Sequence, residues 1–94
     1  MLEEELDRNR RAQAAYASEL DCLPKGSVRI KRRGDKSYCY LKRRDGSRTV
    51  TDYVGIASKV EEELRTQVAR RRELEDAIRQ LVSEQRFIEK ALAL

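Results

Sequence analysis

The sequence predicts an α+β fold made of an N-terminal helix, a three-stranded antiparallel β-meander and a long C-terminal coiled-coil-like helix. Residues 1–22 contain no proline or glycine and are rich in strong helix formers. Residues 27–54 alternate apolar and polar side chains and are divided by two turn dipeptides. Residues 58–93 lack any helix breaker and carry an apolar heptad repeat. Because the chain has only 94 residues, we expect these segments to form one small domain.

The N-terminal helix has a predicted face that is apolar at both ends and polar in its middle. Steps of four and three residues from Leu2 place on this face Leu2, Leu6, Asn9, Gln13, Tyr16 and Leu20. Pro24 and Gly26 follow, and we expect them to end the helix and to turn the chain into the first strand.

The turn dipeptides of the meander are Gly34-Asp35 and Asp45-Gly46. If both are two-residue loops, the second loop pairs Arg44 with Ser47, and Gly55 is expected to end the third strand. This register places five apolar side chains on one face of the sheet, namely Val28, Ile30, Cys39, Leu41 and Val50.

The opposite face of the meander is predicted to combine cations with tyrosines. We name it the basic tyrosine face and define it by Arg29, Lys31, Arg33, Tyr38, Tyr40, Lys42, Arg44 and Tyr53, with Thr49 and Thr51 beside them. Cations of this kind neutralise phosphates, and phenols stack on bases or donate hydrogen bonds, so the pattern predicts a nucleic-acid site. Two alternatives stay open, namely charges that only prevent aggregation of the sheet edge and a site for an acidic protein. A long helix lying on this face would reverse the prediction.

The long helix is expected to begin with Ser58 as its N-cap and Glu61 as the capping-box partner. A heptad register from Val60 has seven apolar positions among ten, and Gln67, Arg71 and Gln85 interrupt it. Its first part is expected to cover the apolar sheet face, and the remainder to pair with the N-terminal helix, with a second copy of the chain, or with both. Whether the N-terminal helix packs within its own chain or is swapped stays open. The residues predicted to pair helices are Leu64, Leu74, Ile78, Leu81, Ile88 and Leu92.

Composition argues against an enzyme. The chain has no histidine and no tryptophan, and 40% of its residues are charged, so histidine-based catalysis and histidine metal ligation are excluded. We expect no catalytic residue, no metal and no cofactor. The charge is distributed unevenly: residues 25–50 carry a net charge of +8, whereas the whole chain carries only +4. This concentration of positive charge indicates an anionic partner. The apolar surface of the long helix exceeds what one alanine-rich helix covers, so a homodimer is expected.

The chain shows neither a secretory signal nor a membrane span, so a cytoplasmic protein without membrane contact is expected. Cys22 and Cys39 lack the spacing of a metal or redox motif, and in that compartment they are expected to be reduced, with a disulfide between them as the less favoured option.

Several short motifs are similar to those of a family of short uncharacterised bacterial and archaeal proteins. They are Leu23-Pro24-Lys25-Gly26, the tyrosine-rich strand Tyr38-Cys39-Tyr40-Leu41, Arg44-Asp45-Gly46 and Tyr53-Val54-Gly55, within residues 23–92. This resemblance implies the meander and the coiled-coil helix and no activity. The spacing of strands and turns also resembles, more weakly, that of the N-terminal sheets of some transposases and of the arm-type DNA-binding domains of integrases.

Together these patterns predict a small nucleic-acid-binding protein that uses its sheet face for binding and its helices for dimerisation. The alternative is a protein-interaction module of a phage or mobile element, such as a regulator or an anti-CRISPR-type inhibitor that binds a protein or a protein–nucleic acid complex.

Overall fold

The computed structural model describes all 94 residues, Met1–Leu94. The elements follow the predicted order, and the strands form one antiparallel sheet in the order β1-β2-β3, which confirms the α+β fold. Their bounds are α1 (Leu2–Asp21), β1 (Ser27–Arg33), β2 (Lys36–Asp45), β3 (Arg48–Ile56) and α2 (Ala57–Ala93). The chain divides into two compact units, which we name the sheet unit (Leu23–Arg71) and the helical unit (Met1–Cys22 with Arg72–Leu94).

Both hairpin loops of the sheet unit begin with a glycine of positive φ, Gly34 at 65° and Gly46 at 64°. Only glycines have a positive φ in this chain, so the second residue of each loop does not. A positive φ at the first loop position alone is typical of type II′ turns. The first loop is the predicted Gly34-Asp35. The second prediction is wrong by one residue: the loop is Gly46-Ser47, because the turn needs its glycine in the first loop position. Asp45 therefore pairs with Arg48.

Between Tyr40 and Arg44 the corrected register moves each β3 partner along by two residues, and beyond the bulge, at Cys39 and Tyr38, by three. Leu41 faces Asp52 rather than Val50, and Val50 faces Arg43. Side chains of a strand alternate with a period of two, so a shift of two residues leaves residues 48–53 of β3 on their predicted faces. The division into an apolar face and a basic tyrosine face therefore holds although the predicted pairs do not.

The core of the sheet unit lies between the apolar face and the first turns of α2. Cys39 and Leu41 from β2 pack with three residues of the helix, Ala57, Leu64 and Val68. Val28 and Val60 border this cluster and are partly buried. The start of α2 thus covers the apolar face, as predicted. Leu64 was assigned to helix pairing, and this is corrected, because its side chain is buried against the sheet.

The junction between β3 and α2 also differs from the prediction. β3 continues through Gly55 to Ile56, with a bulge where its register with Cys39 and Tyr40 shifts, and α2 begins at Ala57 without a loop. Ser58 therefore lies inside the first turn and is not the N-cap. A Cβ atom on Gly55 would be 3.1 Å from a methyl group of Val60. Gly55 thus permits close packing of α2 on the sheet rather than ending the strand.

In the helical unit, a polar network connects α1 with the second half of α2. Asn9 is only 5% exposed, and its Nδ2 donates to the Leu81 carbonyl at 2.8 Å. Gln13 Nε2 donates to Asn9 Oδ1 at 2.7 Å and to Gln85 Oε1 at 2.6 Å. The polar middle of the predicted α1 face therefore meets Gln85, one of the polar interruptions of the heptad pattern.

The two helices of this unit run antiparallel. Asn9 lies beside Leu81, whereas Leu2 and Glu5, nearer the start of α1, share a hollow with Phe87 and Ile88, nearer the end of α2. Leu74 is buried, and the other predicted pairing residues of this unit are partly buried except for the more exposed Leu92. In this structure α1 packs within its own chain, which is one of the arrangements that the sequence left open. No helix of the chain has the length and apolar character needed to cross a membrane.

Candidate nucleic-acid interface

Strand pairing brings all eight predicted residues to one side of the sheet. Residues directly opposite each other on neighbouring strands share a face. Arg29 is opposite Tyr40, which in turn is opposite Tyr53, and Lys31 is opposite Tyr38. Arg33, Lys42 and Arg44 follow from the alternation along β1 and β2. Because α2 packs on the other side, the basic tyrosine face is not covered by that helix.

The cations of this face are exposed and have no ion-pair partner. This holds for Arg29, Lys31, Arg33, Lys42 and Arg44. On the opposite side of the sheet, Arg43 Nε is 2.9 Å from Asp52 Oδ2, so the one close ion pair of the strands lies there. The face contains no acidic side chain, since Asp35 is in a loop and Asp45 and Asp52 are on the other side. Its positive potential is therefore not neutralised within the sheet.

Two further cations, Lys36 and Lys25, belong to the site and were missed. Lys36 is opposite Arg33 beside the first loop and therefore lies on this face. Lys25 lines a shallow hollow together with Arg29, Lys42 and Arg44; Arg43 also borders this hollow, but its charged group is paired with Asp52 on the other side of the sheet. Lys25 precedes β1, so strand alternation gave no signal for it. We name this surface the cationic hollow.

The tyrosines form one cluster in the middle of the face. The centroid of Tyr53 lies 6.2 Å from that of Tyr38 and 5.5 Å from that of Tyr40, with the rings tilted by 54° and 62°. Lys31 Nζ lies over Tyr40 at 4.9 Å from its centroid, in cation–π geometry. Arg33 and the three tyrosines line a second shallow hollow, which we name the tyrosine hollow.

The remaining reactive side chains do not form a site. Both cysteines are free; Cys22 is exposed and Cys39 is buried in the core of the sheet unit. Burial raises the pKa of the Cys39 thiol, the charge of Glu61 raises it further, and Arg65 opposes the shift. A buried thiol with a raised pKa is a poor nucleophile, so Cys39 acts as a small core residue. No cluster of three or more His, Cys, Asp or Glu side chains is placed to hold a metal ion.

No curated protein and no solved structure matches the chain. Residues 2–66 match a family described as a domain of unknown function (DUF6788). The match covers α1, the whole sheet and the first turns of α2. The match thus includes the N-terminal helix, which precedes residues 23–92, where the short motifs lie. Since the match spans more than half of its length, the chain belongs to the DUF6788 family.

Proposed function

We propose that this protein binds nucleic acid through the basic tyrosine face, mainly by contacts to phosphates. The observation that carries the proposal is the open side of the sheet, where five exposed cations have no ion-pair partner and share their face with no acidic strand residue. A row of phosphates supplies the missing negative charges, and its binding releases condensed counterions.

The division of charge between the two units supports the same proposal. The sheet unit carries 14 Lys and Arg against six Asp and Glu, a net charge of +8, and the helical unit carries seven against eleven, a net charge of −4. The mild total of +4 therefore hides a strongly basic sheet unit. Local potential of this kind attracts polyanions and raises their association rate.

Sequence specificity is expected to be weak. Residues 27–56, which include all three strands, contain neither Asn nor Gln, the side chains that pair best with adenine edges. Arginine reads guanine in a duplex groove, but phosphate contacts position a protein without reading its sequence. We therefore expect affinity to depend more on salt concentration than on base sequence.

The test measures binding of labelled DNA and RNA, single-stranded and duplex, at about 50 and 200 mM salt. A charge-reversal variant changes Arg29, Lys42 and Arg44 to Glu. Its matched control changes three exposed cations outside the face that form no ion pair, Arg10, Lys59 and Arg86, to Glu. Both variants have the same net charge, so a difference between them reports position rather than total charge.

We expect the affinity of the unaltered chain to fall steeply with salt. The face variant should lose most of this binding. In a plot of log affinity against log salt concentration, its slope should be shallower by about one unit for each lost phosphate contact. The control should keep most of it. Equal losses in both variants, or no binding at the lower salt concentration, would refute the proposal, and an acidic protein would then be the partner to seek.

We also propose that the helical unit mediates homodimerisation. Phe87 is 74% exposed and lies beside Leu2 and Ile88 at a hollow of this unit. Leu92 in the last turns of α2 is also exposed. Exposed apolar side chains that cluster in this way are typical of association surfaces.

A further inference from the structure

We infer that the nucleic acid bound by the basic tyrosine face is single-stranded, and that one of its bases stacks on the ring of Tyr53. The inference rests on the proposed function and names the class of ligand. It comes from the arrangement of the three tyrosines rather than from the cations, because cations alone attract single strands and duplexes alike.

Tyr53 is the ring of the cluster with the most open surface. It is 56% exposed, whereas Tyr38 and Tyr40 are half-buried and Lys31 already lies over Tyr40. Tyr38 and Tyr40 pack against the Tyr53 ring in tilted geometries and restrict its movement. A ring that is held in this way loses little conformational freedom when a ligand stacks on it, which favours binding.

The tyrosine hollow has the chemistry of a nucleotide site. Three aromatic rings line it, and Arg33, which is exposed and has no ion pair, stands at its edge. A base is a flat π-system that stacks on aromatic side chains and on guanidinium groups. The three phenol hydroxyls form no hydrogen bond within the chain, so they are free to donate to the strand.

The cationic hollow continues the site along the sheet. Lys42 and Arg44 follow Tyr40 on the same face of β2, about 6.7 Å and about 13 Å further along the strand. A single strand whose base occupies the tyrosine hollow therefore has cations within reach of its neighbouring phosphates. Aromatic platforms beside a positively charged track are the usual means of binding single strands without reading their sequence.

A duplex does not use these features equally well. In paired DNA or RNA the base faces are covered by stacking, and proteins reach only edges, sugars and phosphates. The cations would be satisfied by a duplex, but the open ring of Tyr53 would have no base face to contact. The tyrosine cluster thus favours an unpaired strand.

The experiment compares four ligands of equal length, about 10 nucleotides: single-stranded DNA, single-stranded RNA, an abasic DNA strand and duplex DNA. Affinity is measured for the unaltered chain, for Tyr53→Ala and for Tyr53→Phe, which keeps the ring as the matched control. The chain has no tryptophan, so its intrinsic fluorescence comes from its four tyrosines, three of which form this cluster. Quenching of that fluorescence is therefore a direct signal of stacking.

We expect the base-bearing single strands to bind more tightly than the abasic strand and the duplex, and to quench the fluorescence. Tyr53→Ala should lower the affinity for base-bearing single strands by about 5- to 150-fold and leave the abasic strand unaffected. Tyr53→Phe should bind like the unaltered chain. The comparison of base-bearing and abasic strands needs no substitution, so it decides the matter even if Tyr53→Ala disturbs the sheet.

Equal binding of the abasic and base-bearing strands, or unchanged affinity in a folded Tyr53→Ala, overturns the inference and leaves the proposed phosphate binding intact. Tighter binding of the duplex also overturns it. If no ligand binds even at low salt, the proposed function fails, and the inference fails with it.

Discussion

Cys39 shows at the scale of one residue how the core of the sheet unit excludes water. Its side chain is fully buried between β2 and α2, whereas Cys22 is exposed. We expect a thiol reagent to modify Cys22 rapidly in the folded protein and Cys39 only at the rate of opening or unfolding. Mass spectrometry of the labelled protein with and without denaturant, with Cys22→Ser as the single-thiol control, measures both rates. Rapid labelling of Cys39 in the folded state would contradict the packing described above.

The raised pKa of Cys39 also predicts how stability depends on pH. Burial raises the pKa of the folded thiol above its ordinary value, so the folded state holds this proton more tightly than the unfolded state. The corresponding stabilisation is fully present below the pKa of the unfolded thiol and is lost as the pH rises through the folded pKa. Urea unfolding should therefore show a decline in alkali that is smaller in Cys39→Ala, once the lower overall stability of that variant is subtracted. An identical decline in the two proteins would show that other groups cause it.

At the scale of the elements, Asn9 tests how α1 and α2 are joined. Its amide group donates to the Leu81 carbonyl in a buried position and accepts from Gln13. Asn9→Asp keeps the shape but places a carboxylate oxygen against that carbonyl, so at pH 7 we expect a loss of about 2–3 kcal/mol in the free energy of unfolding. The midpoint of urea unfolding, followed by circular dichroism, gives this value.

Asn9→Leu is the matched variant. It removes the donor and the acceptor together and adds apolar surface to a helix seam, so its effect should range from neutral to a gain of about 1 kcal/mol. The Leu81 carbonyl keeps its place in the α2 backbone, and Gln13 keeps Gln85 as an acceptor. If Asp and Leu at position 9 were equally harmless, the hydrogen bond from Asn9 would not contribute to the pairing of α1 with α2.

The elements also show which features of the fold can be predicted from the sequence. Alternation has a period of two, so the membership of both sheet faces is correct although the second loop lies one residue later than predicted. That error arose because Asp-Gly is a strong turn signal in itself, whereas Gly46 is needed in the first position of the actual turn. The predictions that Gly55 ends β3 and that Ser58 is the N-cap of α2 were wrong because of tertiary packing. Val60 packs closely on Gly55, and β3 leads directly into α2.

The strand residues named for the candidate site were predictable from alternation, whereas Lys25 and the accessibility of the site were not. An alternating sequence defines two faces, but it does not state which of them a helix covers. The core formed by Cys39, Leu41 and Val68 shows that α2 lies on the apolar face. Lys25 reaches the cationic hollow from the segment before β1, for which no periodic pattern exists.

At the scale of the whole molecule, charge and apolar surface are separated between the two units. The sheet unit has the excess of positive charge, and the helical unit is acidic and exposes Phe87 and Leu2. Like charges oppose association through the sheet unit, whereas the apolar residues of the helical unit favour it. This separation is the reason for proposing an anionic ligand for the sheet unit and a second copy of the chain for the helical unit.

Phe87→Glu tests the proposed homodimer. Burying the two Phe87 side chains of a symmetric pair would contribute about 3–6 kcal/mol before the entropic cost of association, so we expect a weak dimer. Sedimentation equilibrium over a range of concentrations should show the mass rising from 11.0 kDa towards twice that value, and Phe87→Glu should abolish the rise. The control is Val54→Glu, which places the same charge at an exposed apolar residue of the sheet unit and should leave dimerisation unchanged. A constant monomer mass in the unaltered chain, or a dimer that persists in Phe87→Glu, would contradict the proposed surface. Because two linked binding faces increase avidity, the unaltered chain should also bind long single strands more tightly than Phe87→Glu does, with no such difference on short ones.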